Sequence, residues 1–298
     1  MKKLGIIFSL TLISITLTIS AFMRPNIATP PKESRLCHSA DIQQSAFTAF
    51  TNDSDFLKAH ELPRAISFDK KKAKGKMISF KTLGGKKANA YYIKGDRKSN
   101  KYLLVFHEWW GLNEHIMQES ELWAEKMEGV HVLAIDLYDG KVAETREKAG
   151  EYMKGVDTKR ARNIIKGAIN YCGRDKEFAS IGWCFGGGWS LQSALIAEED
   201  MRACIIYYGM PVTDSNILKR DLKAPVLGIF AEKDKWIDEK VVKEFEQSMT
   251  EAGKTLKVVT YDADHAFANP SSPRYNKEAA EAAQKESARF LKQYFLPK

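Results

Sequence analysis

An α/β fold with a mostly parallel central sheet, helices on both faces and an antiparallel hairpin at its start is what this sequence predicts. Three observations carry that expectation. Short, continuously apolar runs bounded by turn residues recur through the chain, amphipathic helical stretches alternate with them, and two alternating runs flank Gly84-Gly85 before the series begins. A strand that is apolar on both faces must be covered on both faces, which is the situation of a parallel sheet between helical layers.

The elements follow in order. MISFKTLG and ANAYYIKG alternate around the glycine pair and read as a hairpin. YLLVF comes next, then a helical pattern from Glu114 to Met127, the run VHVLAID, two helical patterns between Val142 and Tyr171, and FASIGW. The same alternation continues with Gly186 to Ala197, ACIIYYG, APVLGIF, Asp238 to Ala252, LKVVTYD and a last helix from about Asn276 to Tyr294. In such sheets ligands bind beyond the C-terminal ends of the strands, so chemistry is sought there.

The chain has 298 residues, 44% of them hydrophobic, enough to bury a sizeable core. Its formal net charge of +8 is spread over Lys70-Lys71-Lys72, Lys74, Lys76 and scattered lysines, without the aromatic interleaving of a nucleic-acid binder, and no nucleic-acid partner is expected. Lys2-Lys3 followed by the uncharged run Leu4 to Phe22 reads as a signal peptide or a signal anchor over residues 1–23. That predicts export, either to the periplasm or anchored to the inner membrane and facing it. Residues 24–75 read as a polar extension or linker, because they lack a core-sized apolar set, with a short helix between Asp41 and Ala59. Residues 76–298 are expected to form the α/β domain. Of the four cysteines, Cys204 sits in an apolar strand, and a pairing among Cys37, Cys172 and Cys204 stays open.

The stretch SIGWCFGGGWS has the form G-x-C-x-G between a strand and a helix. A chain that turns at once from strand to helix brings backbone segments too close for side chains, which Gly182 and Gly186 accommodate. The turn leaves Cys184 at a helix N-terminus, where N–H groups favour a thiolate and a developing oxyanion. Taken alone, the pattern fits a buried thiol in a glycine-rich bend equally well. Asp234 follows the APVLGIF strand and His265 the LKVVTYD strand, so nucleophile, acid and histidine occur in the order used by α/β-hydrolases. His107-Glu108-Trp109-Trp110 ends the YLLVF strand, where a loop supplies the second oxyanion donor. The backbone N–H groups of Trp109 and Phe185 are the expected pair.

HEWWGLN, DLYDG at 136 to 140, GWCFGGG, an aspartate about fifty residues later and HAF about thirty beyond it together resemble the dienelactone hydrolase family, of which carboxymethylenebutenolidase is the namesake. The resemblance runs from about Met77 to the C-terminus. It implies an α/β-hydrolase fold, a Cys184-His265-Asp234 triad, Glu108 as the carboxylate that contacts the resting thiol, and hydrolysis of an ester or lactone through a thioester. Trp110, Tyr138 and Phe267 are expected to line the substrate pocket. Family members acting on dienelactone carboxylates carry arginines at positions that match Gly140 and Asn269 here, so a compact anion has no evident clamp, with Arg146 and Arg274 the nearest alternatives.

No cofactor is expected, and the six histidines show no metal-site spacing in sequence. Alternatives on the same fold are a thioesterase, a general carboxylesterase or a non-catalytic binding protein. The oligomeric state is not legible.

Overall fold

The computed structural model describes residues 32–60 and 68–296. Residues 1–23, read above as a signal peptide or anchor, lie outside the described residues, and among those described no helix is long and apolar enough to cross a membrane. One eight-stranded sheet organises the chain: β1 (Lys76–Phe80), β2 (Ala88–Ile93), β3 (Lys101–Phe106), β4 (His131–Ile135), β5 (Glu177–Trp183), β6 (Met201–Tyr207), β7 (Val226–Ala231) and β8 (Leu256–Tyr261), in the spatial order β1-β2-β4-β3-β5-β6-β7-β8. The β1–β2 hairpin is antiparallel, and β2 runs antiparallel to β4 as well; every later pairing is parallel. This is the mostly parallel α/β architecture that the runs predict.

Burial follows position in the sheet. Every residue of β4 and β7 is buried, as continuous apolar runs require, whereas the edge strand β8 has no fully buried position. The helices α3 (Glu114–Lys126), α4 (Arg146–Lys154), α5 (Thr158–Cys172), α6 (Phe185–Ala197), α8 (Glu239–Glu251) and α9 (Lys277–Tyr294), all but α6 opened by a capping side chain, agree with the helical patterns. A further helix, α7 (Ser215–Asp221), was not expected. At seven residues it is too short for a periodic signal, and the Asp214 carboxylate that accepts from Asn216 and Ile217 is its only local mark.

The expectation of a polar linker over residues 24–75 needs correcting within that range. Helices α1 (Lys32–Ala49) and α2 (Ser54–Ala59) belong to one compact unit with the sheet. Phe47 and Phe56 are buried in the common core, each burial contributing about 2–3 kcal/mol. Gln43 donates to the Met210 carbonyl at 2.5 Å, and Gln44 to that of Met153, also at 2.5 Å. Composition hid this docking because its buried contacts are few and scattered, Phe47 and Phe56 with two bonded amides among them, a set too small to register as a core. The basic run lies beyond, where Lys70 pairs with Glu114 and Lys74 with Glu125, all four exposed enough for the pairs to contribute little. Cys172 and Cys204 are free buried thiols, so no disulfide joins them.

Candidate active site

Five adjacent strands deliver the site. Glu108 follows β3, Cys184 follows β5, Tyr208 follows β6, Asp234 follows β7 and His265 follows β8, so polar groups gather along one end of the sheet. Cys184 joins β5 directly to α6 with φ 56° and ψ −120°, a conformation that costs a non-glycine residue about 1–3 kcal/mol and persists where its surroundings impose it. Those surroundings are tight. A Cβ on Gly182 would meet the Gly186 carbonyl oxygen at 2.1 Å, and one on Gly186 would meet that of Phe106 at 2.3 Å. This is the geometry of a nucleophile elbow, and it accounts for both glycines of the motif.

His265 Nδ1 donates to Asp234 Oδ2 at 2.6 Å, while the other oxygen, Oδ1, accepts the backbone N–H groups of Trp236 at 3.0 Å and Ile237 at 3.1 Å. Burial opposes ionisation of Asp234, but His265 and the two amides outweigh it and hold the carboxyl below its usual range. Burial likewise opposes the imidazolium, yet Asp234 and a Cys184 thiolate prevail and raise His265 above its usual range, so the imidazolium is favoured once the thiol proton has moved to it. The Cys184 thiol is 1% exposed, and that burial raises its pKa against the pull of His265 and of the Phe185 N–H.

Glu108 is buried beside this group, with Oε2 accepting from Asn269 Nδ2 at 2.5 Å and Oε1 without a hydrogen-bond partner. Asn269, the position matching a family arginine, is thus the support of Glu108, and its own Oδ1 is fixed by the Ser271 N–H at 2.8 Å. Burial raises Glu108 from 4.5 to about 7, opposed by Asn269 and His265. A carboxyl whose folded pKa exceeds its unfolded one binds the extra proton in the folded state, so stability falls as pH rises from about 4.5 to 7 and the cost is complete above it. Glu108→Gln keeps the shape and removes the charge. Its melting temperature is expected to lose that slope, with a gain on the order of 2 kcal/mol over the parent at pH 8; parallel pH–melting curves for the two proteins would contradict it.

Trp109 and Trp110 are buried in the turn that the Gly111 N–H closes onto the Glu108 carbonyl at 3.2 Å. Tyr138 packs on His107 and Phe185, and Phe267 on Tyr208 and Tyr261. His107 donates Nδ1–H to the Glu108 carbonyl at 2.6 Å and accepts the Leu137 N–H on Nε2 at 3.1 Å, which makes it a neutral brace for the loop. Gly140 donates its N–H to Asp136. His60 is held well below its usual range by burial first and by the charge of His265 next, with Arg274 a small further contribution.

His60 is the residue that sequence reasoning missed altogether. It ends α2, packs on Trp109 with ring centroids 4.8 Å apart and on His265 at 4.9 Å, and sets Nε2 4.0 Å from Cys184 Sγ. Phe56 lies behind it against Trp109 and Trp236, and the Trp236 indole donates to Asp53 at 3.1 Å. No motif surrounds His60, so nothing in the sequence marks it. Tyr208 is different: at φ 35° beyond β6, buried with its hydroxyl unpartnered, it was within reach of the strand-end rule that found Asp234. His60, Cys184 and His265 also form a set of N, N and S donors within 4.8 Å of one another, which spacing along the chain did not foretell because they come from three separate segments.

Because α2 covers the thiol, loosening it should expose the sulfur. Phe56→Ala is expected to cost about 3 kcal/mol of stability and to speed alkylation of Cys184 by iodoacetamide at least about tenfold, read by peptide mass mapping. An unchanged rate would mean that the thiol is reached by another route.

A mostly parallel sheet with an elbow after β5, an acid after β7 and a histidine after β8 defines an α/β-hydrolase. Residues 88–295 match the model of the dienelactone hydrolase family, and the chain belongs to that family, whose members are hydrolases acting on ester bonds. It is similar to "Protein usf" of Aquifex pyrophilus, 27% identical over 231 residues that cover 74% of this chain and 99% of that one. The carboxymethylenebutenolidase of Pseudomonas sp. (strain P51) is 30% identical over 141 residues, 46% of this chain and 56% of its own. Among solved structures, the dienelactone hydrolase from Anabaena variabilis superposes with a TM-score of 0.56 at 17% identity, covering 74% of this chain and 99% of that one, a likeness of fold.

Proposed function

We propose that this chain is an exported hydrolase of uncharged or weakly charged esters or lactones that works through a cysteine acyl-enzyme. The observation that carries the reading is Cys184 on a strained turn, with the Asp234-bound imidazole of His265 within 4.8 Å of its sulfur. Cys184 attacks the carbonyl carbon, His265 takes the thiol proton and passes it to the leaving alcohol, and a water activated by His265 then cleaves the thioester. The N–H groups of Phe185 and Trp109 receive the oxyanion. Glu108, with one oxygen free, holds the resting thiol protonated, which protects sulfur in an oxidising compartment.

With Gly140 and Asn269 where family arginines would stand, those two positions offer no guanidinium to clamp a compact carboxylate. Substrate meets aromatic walls from Trp110, Tyr138 and Phe267 instead. A panel of p-nitrophenyl esters, lactones and dienelactones tests the reading. Turnover of neutral esters ahead of dienelactone carboxylates is expected; fastest turnover of the dienelactone would reject the substrate class, and no turnover of any would reject the hydrolase. Export is checked by fractionation, the cytosol being the outcome against it.

A further inference from the structure

Three donor atoms converge on one point, and each is already oriented. His60 Nδ1 lies 2.8 Å from the Phe56 carbonyl, which only accepts, so Nδ1 carries the proton and Nε2 presents its lone pair to Cys184 Sγ at 4.0 Å. His265 Nδ1 donates to Asp234 at 2.6 Å, leaving an Nε2 that has no hydrogen-bond partner. The donor atoms of all three residues fall within 4.8 Å of one another, and all three residues are buried. Metal-binding histidines have this pattern: the ring nitrogen opposite the ligating one donates to a carboxylate or a carbonyl, which fixes tautomer and aim.

We propose that His60, Cys184 and His265 form a binding site for Zn²⁺. One sulfur and two imidazole nitrogens suit a borderline-soft d¹⁰ ion, whereas Ca²⁺ and Mg²⁺ require oxygen donors. A tetrahedral zinc holds these donors about 3.3–3.6 Å apart, so the 4.0 Å separation of His60 Nε2 and Cys184 Sγ closes by about half an ångström, and no other pair, all lying within 4.8 Å, closes by more than about 1.5 Å. On binding, the S–H bond breaks, its proton goes to solvent and an S–Zn bond forms; the imidazoles bind through lone pairs, His265 releasing its Nε2 proton where it holds one. No electron is transferred. The bound ion occupies the sulfur, so zinc inhibits the hydrolase. His60 is what turns a Cys–His pair into a three-donor site, and it arrives on the N-terminal helices rather than on the sheet. The inhibition rests on the proposed nucleophile; the binding does not.

The full-length protein is titrated with Co²⁺ and then with Zn²⁺ in competition. One ion per chain is expected, with a sulfur-to-cobalt charge-transfer band that Zn²⁺ erases and that Cys184→Ala lacks. His60→Gln, checked for folding by circular dichroism, is expected to weaken zinc binding about 100-fold. X-ray absorption of the zinc-loaded wild type needs no variant and is expected to show one sulfur at about 2.3 Å with nitrogen neighbours at about 2.0 Å. A wild type without the thiolate band, a zinc shell without sulfur, or a folded His60→Gln with wild-type affinity each overturns the site. Metal-free protein that turns over esters yet binds no zinc rejects this site alone. Protein that binds zinc as described but has no turnover when metal-free rejects the hydrolase and keeps the site.

Discussion

Cys184→Ala is expected to lower ester turnover at least about 10⁴-fold while leaving the melting temperature nearly unchanged. The first part follows from the proposed mechanism: without the sulfur its covalent intermediate cannot form, and only water is left to attack the ester. The second follows from packing. Alanine removes one buried sulfur from a residue whose backbone turn is imposed by Gly182 and Gly186, so the elbow survives. The measurement is initial rate on the best p-nitrophenyl ester with purified wild type and variant, alongside thermal melts of both. Equal rates would remove Cys184 from the mechanism, and a collapsed melt would shift the explanation to folding.

Asp234→Asn is expected to lower the chemical step by roughly 10⁴-fold, with the fold intact. Its cause is a tautomer. The N–H groups of Trp236 and Ile237 both point at Oδ1, so an asparagine must put its carbonyl oxygen there and its NH₂ toward His265. His265 Nδ1 then has to accept, its proton moves to Nε2, and the imidazole faces the thiol with a hydrogen where a base needs a lone pair. The loss of the buried carboxylate also removes the main force that raises His265 above its usual range, so the pH dependence of alkylation at Cys184 should shift together with the rate. A variant with a wild-type rate would show that Asp234 does not set the tautomer.

Most of the fold was legible because its signals are local. Continuous apolar runs gave β3 through β7, the alternating pair gave the hairpin, and α2 and α7, six and seven residues long, fell below the length at which periodicity speaks. The strand ends were legible for the same reason: an acid after APVLGIF and a histidine after LKVVTYD need no long-range knowledge beyond the parallel sheet. What the sequence does not carry is who meets whom from outside the sheet. His60 lies 124 positions before Cys184, in a segment without a motif, and its docking depends on two phenylalanines and two glutamines that look like ordinary linker residues. Asn269 was legible only as a missing arginine; that it braces Glu108 is a fact of geometry.

The hydrogen bond from the Trp236 indole to Asp53 has a consequence for descent. It joins segments 183 positions apart, and Trp236 also donates its backbone N–H to the acid of the site. A drift at position 53 that removes the carboxylate strands an indole donor two residues from Asp234, and a drift at 236 removes one of the contacts on the helix that carries His60. The two positions are therefore expected to change as a pair among sequences that share this N-terminal segment, and independently in those that do not.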